Sequence, residues 1–140
     1  MKKILKYILY VFLLTTTLLG TSSCEDDHYY EDPLYEATEA LSYNIWVDRF
    51  RNSDGIDCEQ QLVFNNNFTG REIMTFFDPY EPHPIVQTTY FRWEWTNSFL
   101  DEIYIRYEDG FDLYFEDVNI GYHHLSGYWD GTYVQFKALE

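Results

Sequence analysis

The chain has 140 residues, with 24 acids against nine bases, a formal net charge of −15 and an aromatic share of 21%. Phosphate backbones are bound through clustered Lys and Arg, so this balance argues against nucleic acid as a partner. The length leaves room for one domain with a modest core, and 14 Tyr, 11 Phe and 4 Trp favour strands over helices.

At the N-terminus Lys2, Lys3 and Lys6 precede an apolar stretch from Tyr7 to Gly20 and the small residues Thr21, Ser22 and Ser23. That is the layout of a secretory signal peptide over residues 1–23. The stretch is short for a membrane span, which needs about 20 apolar residues. Cys24 directly after the small residues resembles the lipobox of bacterial lipoproteins. The resemblance implies that the Cys24 thiol is acylated, that the peptide bond before it is cut, and that the chain is attached to the membrane through an N-terminal lipid. The acids Glu25, Asp26 and Asp27 resemble the export signal of lipoproteins displayed by certain gut-type diderm bacteria, which implies an outer-membrane, cell-surface location. From Cys24 onward there are six bases and 24 acids, a net of −18, because the signal segment holds three bases and no acid. An anionic membrane would repel such a chain, so attachment rests on the lipid; one acyl chain holds weakly and several hold durably. With Cys24 lipidated, Cys58 is the remaining thiol and no internal disulfide can form.

Residues 24–32 are acidic and lack apolar periodicity, which reads as a solvated tether, and residues 33–140 form the domain. Asp32 suits an N-cap, Pro33 suits the first helical position, and Leu34, Ala37 and Leu41 share a face, predicting a short helix over 33–41. The rest alternates. Eight strands are predicted, at 43–50, 57–64, 70–77, 86–95, 99–107, 111–118, 121–129 and 132–139. The prolines of Asp78-Pro79, Glu81-Pro82 and His83-Pro84 interrupt any ladder between the third and fourth, since proline lacks a donor.

Two Asp-Gly turns allow register to be argued. A three-residue Glu108-Asp109-Gly110 loop pairs Tyr107 with Phe111, Ile105 with Leu113 and Ile103 with Phe115, placing six apolar residues on one face. A type I turn with a glycine bulge follows there. At Asp130-Gly131 a tight two-residue primed turn instead pairs Trp129 with Thr132, Gly127 with Val134 and Leu125 with Phe136. Eight consecutive strands with mostly short connections predict an all-β fold: a small antiparallel up-and-down barrel preceded by a short helix, with a β-sandwich as the alternative.

At this point the domain resembles the lipocalin-like lipoproteins of surface-exporting bacteria. The likeness is carried by the helix leading into a strand with Trp46, the Asp54-Gly55 loop, the turn from Phe64 to Gly70, Phe91-Arg92-Trp93-Glu94-Trp95, and Leu125-Ser126-Gly127-Tyr128-Trp129-Asp130-Gly131. The resemblance implies small apolar or glycan ligands, no catalytic residues, and a late basic residue over Trp46, for which Lys137 is the candidate.

No motif for catalysis stands out: the chain has no serine nucleophile elbow, phosphate-cradling glycine loop, H-E-x-x-H or Cys-x-x-Cys. The expectation is a non-enzyme with no cofactor. No metal site is expected either. The run from Asn52 to Asp57 resembles a calcium loop, but Phe50 and Gln61 occupy ligand positions, and His123 and His124 point to opposite faces of a strand. Cys58 shares a face with Leu62 and Phe64 and reads as a buried, inert thiol. Two binding surfaces compete. An interior site would be lined by Phe91, Trp93, Trp95 and Trp129, although these, with Ile103, Ile105, Phe111, Leu113, Phe115 and Phe136, are first of all core. An outer site would use the tyrosines of opposite parity, with Tyr104, Tyr114, Tyr128 and Tyr133 as the expected cluster and Tyr90, Tyr122 and the Asp78 to Pro84 loop nearby. The expected function is surface-exposed binding of a small apolar ligand, a glycan or a protein partner. The alternative is a structural or interaction lipoprotein with a filled core.

Overall fold

The computed structural model describes residues 32–139; the signal segment, Cys24 and all of the tether but Asp32 lie outside the described residues. Helix α1 (Pro33–Ser42) starts as the sequence predicts, with an Asp32 side-chain oxygen accepting from the Leu34 amide at 3.0 Å and Pro33 in the first turn. Its inner side buries Thr38 and Leu41. Eight strands follow: β1 (Ile45–Arg51), β2 (Asp57–Phe64), β3 (Thr69–Phe77), β4 (Ile85–Trp95), β5 (Ile103–Tyr107), β6 (Asp112–Ile120), β7 (His124–Trp129) and β8 (Thr132–Ala138). Each pairs antiparallel with the next, and β8 returns to β1, so the sheet is a closed up-and-down barrel. The sandwich alternative is thereby set aside.

Both Asp-Gly registers are as expected. Ile103 faces Phe115 and Ile105 faces Leu113 across β5 and β6, with Gly110 at φ 90° and its amide donating to the Tyr107 carbonyl. Trp129 faces Thr132 and Leu125 faces Phe136, with Asp130 and Gly131 both at positive φ, as a primed two-residue turn requires. Three strand starts differ from expectation by two or more residues. The first begins at Ile45, the fifth at Ile103 and the seventh at His124, because the preceding residues are spent on turns. Within 96–102 the chain closes on itself through Thr96 N–H donating to the Glu102 carbonyl at 3.0 Å, and Leu100 takes φ 56°. Likewise the Gly121 amide donates to the His124 carbonyl at 2.8 Å, which folds residues 121–123 into a turn rather than a strand.

The core lies between α1 and the barrel wall. Trp46, Leu62, Phe64, Ile103, Ile105, Phe115, Leu125 and Phe136 are essentially inaccessible. Two indoles fasten the helix over the barrel end: Trp46 Nε1 donates to the Leu41 carbonyl (2.8 Å) and Trp95 Nε1 to Thr38 Oγ1 (3.2 Å). Lys137 does not cover Trp46. Its backbone partner is Val47, so it has the opposite parity and is exposed, while the helix does the covering. Phe111 also departs from its core assignment. It sits beside the Gly110 bulge, before β6 begins, and is 53% exposed, with one ring face on Tyr107.

Candidate functional site

Strand parity sorts the aromatics into two sets. On the inner side Phe91 and Trp93 are 2% and 3% exposed, and both meet Phe64 edge-on at ring distances of 5.4 and 5.6 Å. Trp93 continues to Trp95 at 5.9 Å, and Trp129 packs on Phe115 at 5.2 Å. Trp95 and Trp129 are half-buried at the margin of this cluster. The four interior candidates are thus spent on packing one another and the core.

Above the aromatic layer, toward the β3–β4 turn, the inner side becomes polar. Gln60 Nε2 donates to Glu72 Oε1 at 2.6 Å, and the Tyr107 hydroxyl donates to Glu72 Oε2. Burial, together with the Glu72 carboxylate beside it, pushes the Tyr107 phenol far above its usual range. Tyr107 therefore remains a protonated donor and completes the satisfaction of a half-buried carboxylate. Sequence reading put Tyr107 among the inward residues of its hairpin but did not anticipate Glu72 as its partner, because the two are 35 positions apart.

On the outer side the tyrosines fall into two contacting pairs. Tyr104 and Tyr114 are cross-strand neighbours on β5 and β6 with rings 5.1 Å apart. Tyr128 and Tyr133 are neighbours on β7 and β8 with rings 5.6 Å apart. Glu116, not Tyr114, faces Tyr128 across β6 and β7, so the pairs are offset diagonally along one face. Tyr114, Tyr128 and Tyr133 are 42–59% exposed. The Tyr104 hydroxyl is already committed. It donates to Asp112 Oδ2 at 2.7 Å and accepts from Arg106 Nε and Nη2 at 3.3 and 2.9 Å. Tyr104 offers a ring to a ligand, whereas the other three offer ring and hydroxyl.

The remaining candidates are all superficial except the thiol. Cys58 is buried and its sulfur lies 3.4 Å from the Ile56 carbonyl. His123 and His124 are exposed, and His123 stacks on Tyr122 at 4.4 Å. Asn52 uses its side-chain oxygen to accept from the Asp54 and Ile56 amides, so the calcium-like run is a hydrogen-bonded turn. Tyr80, in the proline-rich loop, is 93% exposed. Among the described residues no group of three or more His, Cys, Asp or Glu is placed to hold a metal ion, and no helix is long and apolar enough to cross a membrane.

What sequence reading did not bring together is a set of bases. Arg71, Arg92 and Arg106 come from three separate strands and line one open groove of about 580 Å³ on the outer wall, together with Tyr90. The pattern gives each an outward parity, but only the β3–β4 and β4–β5 registers make them neighbours. Compared with family models, curated proteins and solved structures, the chain matches none.

Proposed function

We propose that this protein is a lipid-anchored, surface-exposed binding module whose contact surface is the outside of its barrel, and that it takes a glycan or a protein partner rather than an apolar molecule held within. The observation that carries this reading is the contrast between Phe91 and Trp93, which are 2% and 3% exposed and wedged against Phe64, and the tyrosine pairs, whose rings stand in solvent. Tyrosine combines a broad apolar ring with a hydroxyl and few rotatable bonds, so it loses little entropy when a sugar or a protein surface stacks on it.

The test replaces Tyr104, Tyr114, Tyr128 and Tyr133 together with Ser and screens wild type and variant against glycans, lipids and surface proteins. The variant is expected to keep its thermal transition and lose the binding of neutral glycans or proteins shown by wild type. Unchanged binding, or an apolar ligand that quenches tryptophan fluorescence in both proteins, would overturn the reading. The anchor has its own test: Cys24→Ser is expected to abolish lipid labelling and membrane retention, and retention with labelling intact would refute the anchor.

A further inference from the structure

The three arginines of the outer groove are placed in a way that packing does not explain. Gly70, Phe91 and Tyr107 are backbone partners in one row across β3, β4 and β5, and all three direct their inner side to the core. Their backbones form the groove floor. The adjacent row on one side is Arg71, Tyr90 and Glu108, and on the other Thr69, Arg92 and Arg106. Side chains on both rows project outward, so the groove has two walls and three guanidinium groups along them. Half of the six bases that follow Cys24 are gathered here.

Their pairing is unusual for so acidic a chain. Arg92 lies directly opposite Arg106, a like-charge cross-strand pair that is unfavourable for the sheet. Elsewhere the same sheet pairs bases with acids: Arg49 with Glu59 at 2.7 Å and Arg51 with Asp57 at 2.8 Å. Arg106 is partly neutralised, since it donates to the Tyr104 hydroxyl, which is bonded to Asp112. Arg71 and Arg92 form no ion pair among the described residues, and their side chains are exposed. Glu108 is the one carboxylate on the groove wall.

We infer that this groove binds an acidic glycan, with Arg71 and Arg92 holding a sugar carboxylate or sulfate while the Tyr90 ring stacks on the sugar. The planar guanidinium fork matches a two-oxygen anion, which explains why arginine occupies all three positions. Tyr90, directly opposite Arg71 and two residues before Arg92 on β4, is 52% exposed and supplies the ring face that a bare anion would not need. Asp112 and Glu94 lie close enough to act on Arg106, so the free charge of the groove rests on Arg71 and Arg92; acids more than about 8 Å away are largely screened at physiological salt. The site is separate from the Tyr128–Tyr133 pair on β7 and β8 and stands without it.

The full chain is titrated calorimetrically with a heparin-derived tetrasaccharide, a tetragalacturonate and a neutral tetrasaccharide, at low and high salt. The acidic sugars are expected to bind, more weakly as salt rises, and the neutral one not to bind. Arg71→Gln and Arg92→Gln should each weaken binding about tenfold, as expected for loss of a charge-assisted hydrogen bond. Arg92→Lys should lose part of the affinity, since the charge stays and the fork goes, while Arg49→Gln and the double variant Tyr128→Ser/Tyr133→Ser should bind as wild type. Arg92→Gln should melt no lower than wild type, because it relieves the contact with Arg106. Absence of binding to both acidic sugars, or equal binding by the Arg71 and Arg92 variants, overturns the inference. Binding of a polyglutamate peptide in place of the sugars overturns the glycan assignment.

Discussion

The β5–β6 hairpin and the β3–β4 hairpin carry the same alternation of apolar and polar residues, yet they end in different environments. In the first, Ile103, Ile105, Leu113 and Phe115 are all at or below 4% exposure. In the second, Ile85, on the same inward parity as Phe91, is 44% exposed, and Gln87 on that parity also faces solvent. The reason is height. β3 and β4 are nine and eleven residues long, whereas β7 and β8 across the barrel have six and seven, so the upper part of β3–β4 rises above the wall that would face it. Period-two patterning selects a face of a strand; burial of that face requires a second layer opposite.

The sharpest way to break this comparison is to truncate one aromatic or aliphatic residue in each region. Phe115→Ala is expected to cost about 3–5 kcal/mol in chemical denaturation, because its cavity would open in a closed layer. Ile85→Ala should cost no more than about 1 kcal/mol. Similar losses at the two positions would show that the β3–β4 extension is packed against something.

A second substitution tests how tightly the closed half is drawn together. β6 carries a bulge between Glu116 and Asn119, with Asp117 at φ 51°, and β7 meets it through Gly127. A methyl group at Gly127 would lie 2.6 Å from the Glu116 carbonyl oxygen and 2.7 Å from the Phe115 ring. Gly127→Ala is therefore expected to lower stability by about 2 kcal/mol or more. A wild-type denaturation midpoint in that variant would mean that the bulge can move away freely.

The junction between the closed half and the open mouth is sensitive to base. Tyr107 holds its proton more tightly in the folded state than in the unfolded one, so its contribution to stability is complete below the ordinary tyrosine value of about 10 and is lost as pH rises above it. The expected slope is about 1.4 kcal/mol per pH unit in that range, read from urea midpoints at several alkaline pH values. Tyr107→Phe should flatten the dependence, and an equal slope in wild type and variant would assign the effect to other groups. The smallest effect is expected at the tip of the last hairpin. Gly131 has φ 78° with open space around it, so Gly131→Val should cost about 1 kcal/mol through backbone strain alone. A loss as large as that of Gly127→Ala would indicate a packing role that its surroundings do not suggest.

Much of the wall was legible because antiparallel neighbours joined by short turns leave few registers to choose from. The six-residue apolar face around Gly110 and the primed turn at Gly131 each follow from counting residues across a loop. The irregular connections were not legible in the same way. Residues 99–102 read as the start of a strand, but the Asn97–Asp101 hydrogen bond at 2.7 Å and the positive φ of Leu100 turn the chain instead. Phe111 misled for a related reason: a bulge residue keeps its place in the alternation without keeping its orientation. The outer tyrosines could be assigned by parity. The Gly110 and Gly131 registers also set Tyr104 opposite Tyr114 and Tyr128 opposite Tyr133, whereas the offset between the two pairs, with Glu116 opposite Tyr128, involves the bulge in β6.

By itself the sequence determined the strand count, the helix cap, the two Asp-Gly registers and which side chains of the hairpins around them face inward. These depend on contacts between residues close in the chain, where a turn of known length fixes the partner. The tertiary structure alone decided that the helix, not Lys137, covers Trp46, that Glu72 receives Tyr107, and that Arg71, Arg92 and Arg106 border one groove. Each of these joins residues from strands or elements whose relative height is set by barrel closure and by irregular loops, and no local preference in the chain encodes that height.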